Sequence, residues 1–244
     1  MARVSKRAKW FGTVVIMLLL LTAGTVLWTA PRSLVPWLAD RAPGCLYSVE
    51  TSEPRVALTI DDGPDTATTA ALLHVLRTHL ARATFFLISE HITNDSLVAA
   101  IVAQGHEIGN HLTRDQPSIR LSETAFDSSL ATAGRRLAAF APVRWARPGG
   151  GRYNQSMVST MRRQGYACAL GSVYPYDAEI PSTRFSAAFI LAHVRPGAII
   201  VLHDGGSRGR RTRATLARVL PELRRRGLQV VTLSDLVSAS SPAS

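Results

Sequence analysis

Two aspartates stand side by side in the segment LTIDDGPD, residues 58–65. The apolar run before them predicts a buried strand, which Gly63 and Pro64 bring to an end. Because the chain turns where the strand ends, the carboxylates of Asp61 and Asp62 can both reach one cavity. Two close carboxylates repel each other unless a cation relieves the repulsion. The pair therefore predicts a bound metal ion, an arginine partner, or both.

A histidine and a third aspartate follow in the segment GHEIGNHLTRD, residues 105–115. His111 and Asp115 are four positions apart, so on one helical turn both side chains would lie on the same face. With the aspartate pair they predict three protein ligands and an open position, which is the pattern of catalytic metal sites. His106 is a competing ligand, but its place early in an apolar strand favours a core or supporting role.

Two further residues with catalytic potential follow apolar segments later in the chain. Arg147 begins the glycine-rich segment RPGGGRYN, and an arginine can hold a carboxylate with two hydrogen bonds and keep it ionised. His203 directly follows the apolar run AIIVL, and a histidine with a carboxylate partner can act as a general acid. Each residue alone is more typical of a structural role. Collected on one rim of a fold, they favour catalysis.

The elements that would position these residues alternate between strand-like and helix-like segments. The predicted strands are 55–60, 83–88, 106–109, 143–146, 166–170, 198–202 and 228–232. The predicted helices are 66–80, 96–104, 123–140, 155–164, 184–194 and 213–226. Such alternation implies an α/β fold with a parallel sheet, and about seven strands suit a small, incomplete barrel. In such barrels catalytic groups collect at the carboxyl ends of the strands, where these residues fall.

The chain begins with a segment typical of a membrane anchor. Residues 1–9 carry four positive charges and no negative one, and the next 19 residues, 10–28, carry no charge. As a helix this run would span about 28 Å, close to the roughly 30 Å of a bilayer core. We therefore predict a cytoplasmic basic tail (1–9), a transmembrane anchor (10–28), a linker (29–53), a globular domain (54–238) and a disordered tail (239–244). The domain would face outward, on the outer face of the plasma membrane. A cleaved signal peptide and a secreted domain are the alternative, although a signal peptide has a shorter apolar region of about 7–15 residues.

The formal net charge of +11 does not by itself indicate nucleic-acid binding, because four charges belong to the tail and an exported domain does not meet nucleic acid. The only lysines are Lys6 and Lys9 in the tail, and every other cation is an arginine, with clusters at Arg208, Arg210, Arg211, Arg213 and at 224–226. A solvated helix face is the expectation there, and attraction to anionic envelope polymers or lipid headgroups is the alternative. We expect a monomer. A disulfide between Cys45 and Cys168 stays open, because the sequence does not show that they approach each other.

In order and spacing, these segments resemble the polysaccharide deacetylase family, the NodB-homology carbohydrate esterases of family 4. Residues 59–64 match its motif Thr-Phe-Asp-Asp-Gly-Pro, and residues 105–111 match its Gly-His-Glu-Ile-Gly-Asn-His. Residues 147–151 match Arg-Pro-x-x-Gly, and residues 201–203 correspond to Leu-x-His. Residues 174–178 correspond to a degraded Asp-x-x-Asp-Trp. The resemblance covers about 55–237.

Two departures from the family pattern bear on the chemistry. Asp115 stands where the family has a second metal-binding histidine, so the ligand set would be harder and more anionic. Zinc is the first expectation for the metal, with cobalt or manganese as alternatives. Ala178 stands where the family has a tryptophan, which opens one pocket wall unless Tyr174 or Tyr176 replaces it.

The resemblance implies a distorted (β/α)7-type barrel that removes N-acetyl groups from amino-sugar polymers of the cell envelope, peptidoglycan or a chitin-like glycan, with a divalent metal. It implies that Asp61 is the base with Arg147 orienting it, and that His203 is the acid with Asp177 orienting it. The implied metal ligands are Asp62, His111 and Asp115, and the implied substrate-binding residues are Pro148, Tyr153, Tyr176 and Leu202. Two alternatives remain: a deacylase or deformylase of a lipid-linked amino sugar, and an inactive glycan-binding relic.

Overall fold

A computed structural model describes residues 43–239 continuously and, nearer the N-terminus, residues 10, 13–18, 22, 24, 25 and 28. The predicted basic tail and residues 240–244 lie outside the described residues, and the predicted anchor and linker are described only in part. Among the helices of the described residues, none combines the length and the apolar character needed to cross a bilayer.

The described chain forms one parallel sheet surrounded by helices. The strands are β1 (Cys45–Leu46), β2 (Arg55–Gly63), β3 (Thr84–Leu87), β4 (Glu107–Asn110), β5 (Trp145–Ala146), β6 (Ala167–Ala169), β7 (Ile199–His203) and β8 (Gln229–Val231). Their order is β1-β6-β5-β4-β3-β2-β7, and every pair is parallel. Strand β8 pairs with the first three residues of β2, along the edge opposite β7. Isolated bridges join Ser48 to Ala198 and Val173 to Ile200, so both ends of the strand order meet at β7. This arrangement confirms the predicted α/β fold with a parallel sheet.

Within residues 43–239, seven α-helices lie around the sheet. They are α1 (Thr69–Thr78), α2 (Asp95–Ala103), α3 (Glu123–Ala138), α4 (Gln155–Arg163), α5 (Thr183–His193), α6 (Gly206–Arg225) and α7 (Leu233–Ser238). Side-chain oxygens cap several of them, for example Asn94 on α2 and Asn154 on α4. These caps satisfy amide groups that have no partner within the helix.

The structure differs from the prediction at three elements. The predicted linker contains β1, which is joined to β6 by a disulfide between Cys45 and Cys168, whose Cα atoms are 4.5 Å apart. A linker assignment from proline content could not foresee this pairing, because the partner strand lies 123 residues away. Helix α6 begins at Gly206 rather than at 213, because its first turns carry few apolar residues and so show no apolar periodicity. The segment after β8 adds the short helix α7.

The core fixes the central strand from all sides. Every residue of β2 after Arg55 is buried, and the strand pairs with β3, β7 and β8. Leu58, Ile60 and Phe85 have at most 1% of their surface exposed. Each such side chain contributes about 1.5–3 kcal/mol through burial. The carboxyl end of β2 is therefore held on a rigid base.

Candidate active site

The strand register brings the predicted site residues to one rim. Asp61 on β2 is paired in register with His203 on β7. Asn110 on β4 is paired with Ala146 on β5, so the residues that follow them, His111 and Arg147, leave the sheet side by side. Because the strands are parallel, all of these side chains lie at the carboxyl edge of the sheet, as predicted.

Arg147 holds Asp61 in a buried ion pair. Its Nη1 lies 2.6 Å from Asp61 Oδ1, and their side chains are only 3% and 5% exposed. The guanidinium also donates to Thr59 Oγ1 and to the carbonyl oxygens of Ala169 and Leu170 at 2.8, 2.9 and 2.6 Å, and it lies 4.1 Å from the ring centre of Phe86. Five donor groups in a fixed fork suit this use of arginine. Asp61 therefore sits in one fixed orientation opposite a permanent positive charge.

Asp62 turns away from the regular strand because its backbone is left-handed, with φ at 71°. The ring nitrogen Nδ1 of His91 lies 2.8 Å from the carbonyl oxygen of Asp62 and supports this conformation. The turn explains how two adjacent carboxylates both lie near His111 and His203. Burial raises the pKa of Asp62, but the hydrogen bond and charge of His111 and the charges of His203 and Arg208 lower it to about 2.

The His111 ring is oriented for a cation. Its Nδ1 lies 2.7 Å from the carbonyl oxygen of Arg147, so Nδ1 donates and Nε2 faces Asp62 Oδ1 at 3.4 Å. Such a backbone contact is the usual way in which a metal-binding histidine is oriented. Burial lowers the pKa of His111, but the hydrogen bond and charge of Asp62 and the charge of Asp61 have the larger effect. The net pKa of His111 is therefore raised. A positive charge between Nε2 and Oδ1 is thus favoured, and this two-ligand edge fits a divalent cation.

Asp115 differs from its prediction in conformation. Residues 111–117 form a bend without helical structure, so the helical turn that was to align His111 and Asp115 is absent. Its side chain is 55% exposed, and its Oδ2 lies 3.4 Å from Nη2 of Arg208, whose Nη1 lies 2.9 Å from Asp62 Oδ2. Over the residues that the structure describes, no three His, Cys, Asp or Glu side chains come together in a group that could hold a metal. The role of Asp115 as third ligand stays a prediction.

His203, on the strand next to Asp61, is paired with Asp177. Its Nδ1 lies 3.0 Å from Asp177 Oδ1, and its backbone N–H donates to Asp177 Oδ2 at 3.1 Å. Burial alone lowers the pKa of His203, but the bond and charge of Asp177 and the charges of Asp61 and Asp62 raise it to about 9. The imidazole therefore carries its proton at neutral pH and can donate it from Nε2.

The four predicted substrate-binding residues fall in different surroundings. Pro148 follows Arg147 directly, and the Tyr153 hydroxyl lies 3.0 Å from that of Tyr47. Tyr176 packs edge-on against Phe189 of α5, with ring centres 5.6 Å apart. Leu202 has no exposed surface and belongs to the core. Its side chain supports the strand that carries His203, and substrate contact at these four positions stays a prediction.

Sequence reasoning did not single out Arg208 as a site residue, because it grouped this arginine with a solvated helix face. In the structure Arg210 and Arg213 are exposed, whereas Arg208 turns inward and Arg211 donates to the Asp177 carbonyl oxygen at 3.2 Å. Helical spacing could have placed Arg208 on the inner face of the helix. It precedes the buried positions Thr212, Thr215 and Val219 by four, seven and eleven residues.

Comparison with known proteins places the chain in a family. The polysaccharide deacetylase family matches residues 48–169, half of the chain. A peptidoglycan-N-acetylglucosamine deacetylase of Bacillus cereus is 33% identical over 196 residues, covering 78% of this chain and 92% of the relative. A chitooligosaccharide deacetylase of Bradyrhizobium is 34% identical over 197 residues, covering 74% and 90%.

A solved structure is similar over most of the chain. It is a family 4 acetyl xylan esterase of Clostridium thermocellum in complex with a cobalt ion, 28% identical, with a TM-score of 0.70 over 75% of this chain and 90% of that one. The parallel sheet with the site residues at its carboxyl edge fits the family that the relatives identify. The chain belongs to the polysaccharide deacetylase family.

Proposed function

We propose that the protein is a metal-dependent hydrolase that removes N-acetyl groups from amino-sugar polymers of the cell envelope. The observation that supports this most is the register pairing of Asp61 with His203, which sets a carboxylate held by Arg147 beside an imidazole held by Asp177. A base and an acid on neighbouring strands are what amide hydrolysis needs, because water must lose a proton and the leaving amine must gain one.

Asp61 acts as the base in this proposal. Arg147 bonds to its Oδ1, which leaves Oδ2 to take the proton from water. His203 acts as the acid: its Nδ1–H bonds to Asp177, so the Nε2 proton goes to the leaving nitrogen. A backbone N–H near Tyr153 supports the oxyanion. Each group is fixed before substrate binds.

Asp62 and His111 would hold the cation, with Asp115 as a third ligand after a rearrangement of its side chain. When bound, the cation polarises the acetamide carbonyl and acidifies the attacking water. Zinc is the proposed metal, and cobalt or manganese are the alternatives, because two carboxylates and one imidazole also suit harder ions. The cobalt ion in the similar esterase supports a divalent cation here.

Peptidoglycan and chitin-like glycan are the proposed substrate class, supported by the names of the two similar enzymes. A lipid-linked amino sugar is the alternative substrate. An inactive glycan-binding relic is disfavoured, because base, tether, acid and orienting carboxylate are all present and mutually bonded. A relic has no need for all four.

We also propose that residues 10–28 anchor the protein and that the domain faces outward as a monomer, without a nucleic-acid partner. A disulfide between Cys45 and Cys168 suits an oxidising compartment outside the cytoplasm. Trp28 packs edge-on against Phe185 and Phe189, with ring centres 6.0 and 5.6 Å apart, so the chain from the anchor would meet α5. A secreted form cleaved before the domain is the alternative, and the size and location of the expressed protein distinguish the two.

The test is acetate release from N-acetylated glycans. The chelator-treated protein is assayed with peptidoglycan, chitooligosaccharides and a lipid-linked N-acetylated sugar, each with added zinc, cobalt or manganese. The proposal expects acetate from a polymer only with a divalent cation, and none from Asp61→Asn. Metal-independent release, or release from the lipid-linked sugar alone, would contradict it. Metal binding without any acetate release would favour the relic.

A further inference from the structure

The first turn of α6 places one arginine over the metal-binding edge. Helix α6 begins at Gly206, immediately after β7 and His203, so residue 208 lies above the carboxyl ends of β7 and β2. The helix is fixed there on its inner face, since Thr212 donates to the carbonyl oxygen of His203 at 2.7 Å. Arg208 shares this face, whereas Arg210 lies about 200° further round the helix and is exposed.

The two oxygens of Asp62 have different partners. Oδ1 faces Nε2 of His111 at 3.4 Å, and Oδ2 lies 2.9 Å from Nη1 of Arg208. The other amino group of the same guanidinium, Nη2, lies 3.4 Å from Asp115 Oδ2. The guanidinium therefore stands between the two carboxylates that the three-ligand site would bring together.

A guanidinium and a divalent cation would compete for the same carboxylate oxygens here. Both are positive, so each lowers the affinity of the site for the other. Asp115 can approach the His111–Asp62 edge only if the guanidinium leaves the space between the carboxylates. The Arg208 side chain is 33% exposed, and an arginine can move its charged end into water while its stem stays in place. The exchange needs no change in the backbone of α6.

We propose that Arg208 competes with the catalytic cation for Asp62 and Asp115. The arginine joins the two carboxylates, and the cation gains Asp115 as its third ligand by displacing the arginine. Arg208 is thus a positioning residue that lowers the affinity of the site for metal. This inference rests on the proposed metal-dependent function, and it concerns one residue that the function does not itself require.

The test is a metal titration of the chelator-treated full-length protein. Cobalt binding is followed by visible absorption and zinc binding by calorimetry, for the wild type, Arg208→Ala and Arg210→Ala. Since the guanidinium contacts both Asp62 and Asp115, Arg208→Ala should bind cobalt about tenfold more tightly. Arg210→Ala removes the same charge from the opposite face and should change the dissociation constant less than about twofold.

The sign of the change decides between the possible roles. Unchanged or weaker binding in Arg208→Ala would overturn the proposal, because an arginine that merely orients Asp62 would help the metal. Arg208→Lys keeps the charge without the two-armed fork and should give an intermediate affinity, which guards against a folding defect in the alanine variant. Adding Asp115→Ala to Arg208→Ala should remove most of the gain, and a gain that survives would contradict the part assigned to Asp115.

The failure of this inference can be told apart from failure of the proposed function. Acetate release by the wild type with added metal tests the function, whatever the affinity. Weaker cobalt binding in Arg208→Ala beside an active wild type refutes only the competition. Thermal unfolding gives a second readout: cobalt should raise the melting temperature of Arg208→Ala more than that of the wild type at the same cobalt concentration. An equal or smaller rise would count against competition.

Discussion

Two carboxylate–arginine pairs at the same rim use the same chemistry in opposite surroundings. Arg147 and Asp61 approach to 2.6 Å with side chains 3% and 5% exposed, and Arg208 and Asp115 approach to 3.4 Å with side chains 33% and 55% exposed. Breaking a buried pair by removing one partner costs about 3–5 kcal/mol, whereas an exposed pair contributes about 0–1 kcal/mol. The first pair is therefore a permanent part of the site, and the second can be exchanged.

The difference follows from where the residues lie in the chain. Asp61 is on a central strand and Arg147 follows an adjacent one, so hydrogen-bonded register fixes both backbones. Asp115 lies in a bend and Arg208 in the first turn of a helix, where no sheet register sets their separation. Proton transfer needs fixed geometry, whereas a metal site must open to load its ion. The two pairs match these two needs.

The largest effect should come from the buried pair. Asp61→Asn keeps a hydrogen-bond acceptor for Arg147 but removes the proton acceptor, so the turnover rate should fall by about 10⁴-fold, the upper end for a general base. Metal content should stay unchanged, because the proposed ligands of the ion are Asp62 and His111. Steady-state acetate release and metal analysis of the purified variant check both points. Loss of metal at an unchanged fold would reverse the assignments of Asp61 and Asp62.

The second effect concerns the acid. His203→Ala should lower the turnover rate by about 10³-fold, within the usual range for general acid catalysis, and should keep the metal. A substrate analogue with a better leaving group needs less protonation and should recover part of the rate. Equal losses for both substrates would show that His203 does not protonate the leaving group.

The third effect is a shift in pH dependence. Burial lowers the pKa of His203, but the hydrogen bond and charge of Asp177 outweigh burial and raise the pKa from 6.5 to about 9. The acid form is present below this value, so activity should fall as the pH rises through about 9. In Asp177→Asn the carboxylate is lost, and the alkaline limb of the kcat profile should move to lower pH. An unmoved limb would mean that another group titrates there.

The same raised pKa affects stability in a definite direction. Because the folded protein holds the His203 proton more tightly than the unfolded chain does, the stabilisation is fully present below about 6.5 and is lost as the pH rises through about 9. Urea unfolding of the wild type and Asp177→Asn at pH 6 and pH 10 should show a larger difference at the lower pH.

The meeting of Asp61 and His203 could be predicted from the sequence, and the pairing of Asp115 with Arg208 could not. Apolar runs ending in Asp61 and His203 mark buried strands, and parallel strands must end at one edge, so their meeting follows from pattern alone. Asp115 was assigned by helical spacing, but the chain from 111 to 117 bends instead, with Leu112 at φ 64°. The partner of Asp115 lies 93 residues away on another element, and nothing local encodes that distance.

The smallest effect, and the one that sharpens the comparison most, concerns Asp115. If it joins Asp62 and His111 around the cation, Asp115→Ala should lower metal affinity by about tenfold, since one carboxylate ligand is replaced by water. Asp115→His should keep a metal and shift preference toward softer ions such as zinc. The control is Asp127→Ala, which breaks another exposed arginine–carboxylate pair, 3.0 Å from Arg163 and outside the site. Calorimetric titration with zinc and manganese compares all three variants. If Asp115→Ala matches Asp127→Ala in affinity and ion preference, Asp115 serves only as a partner of Arg208. The exposed pair would then be a surface contact rather than an exchangeable part of the metal site.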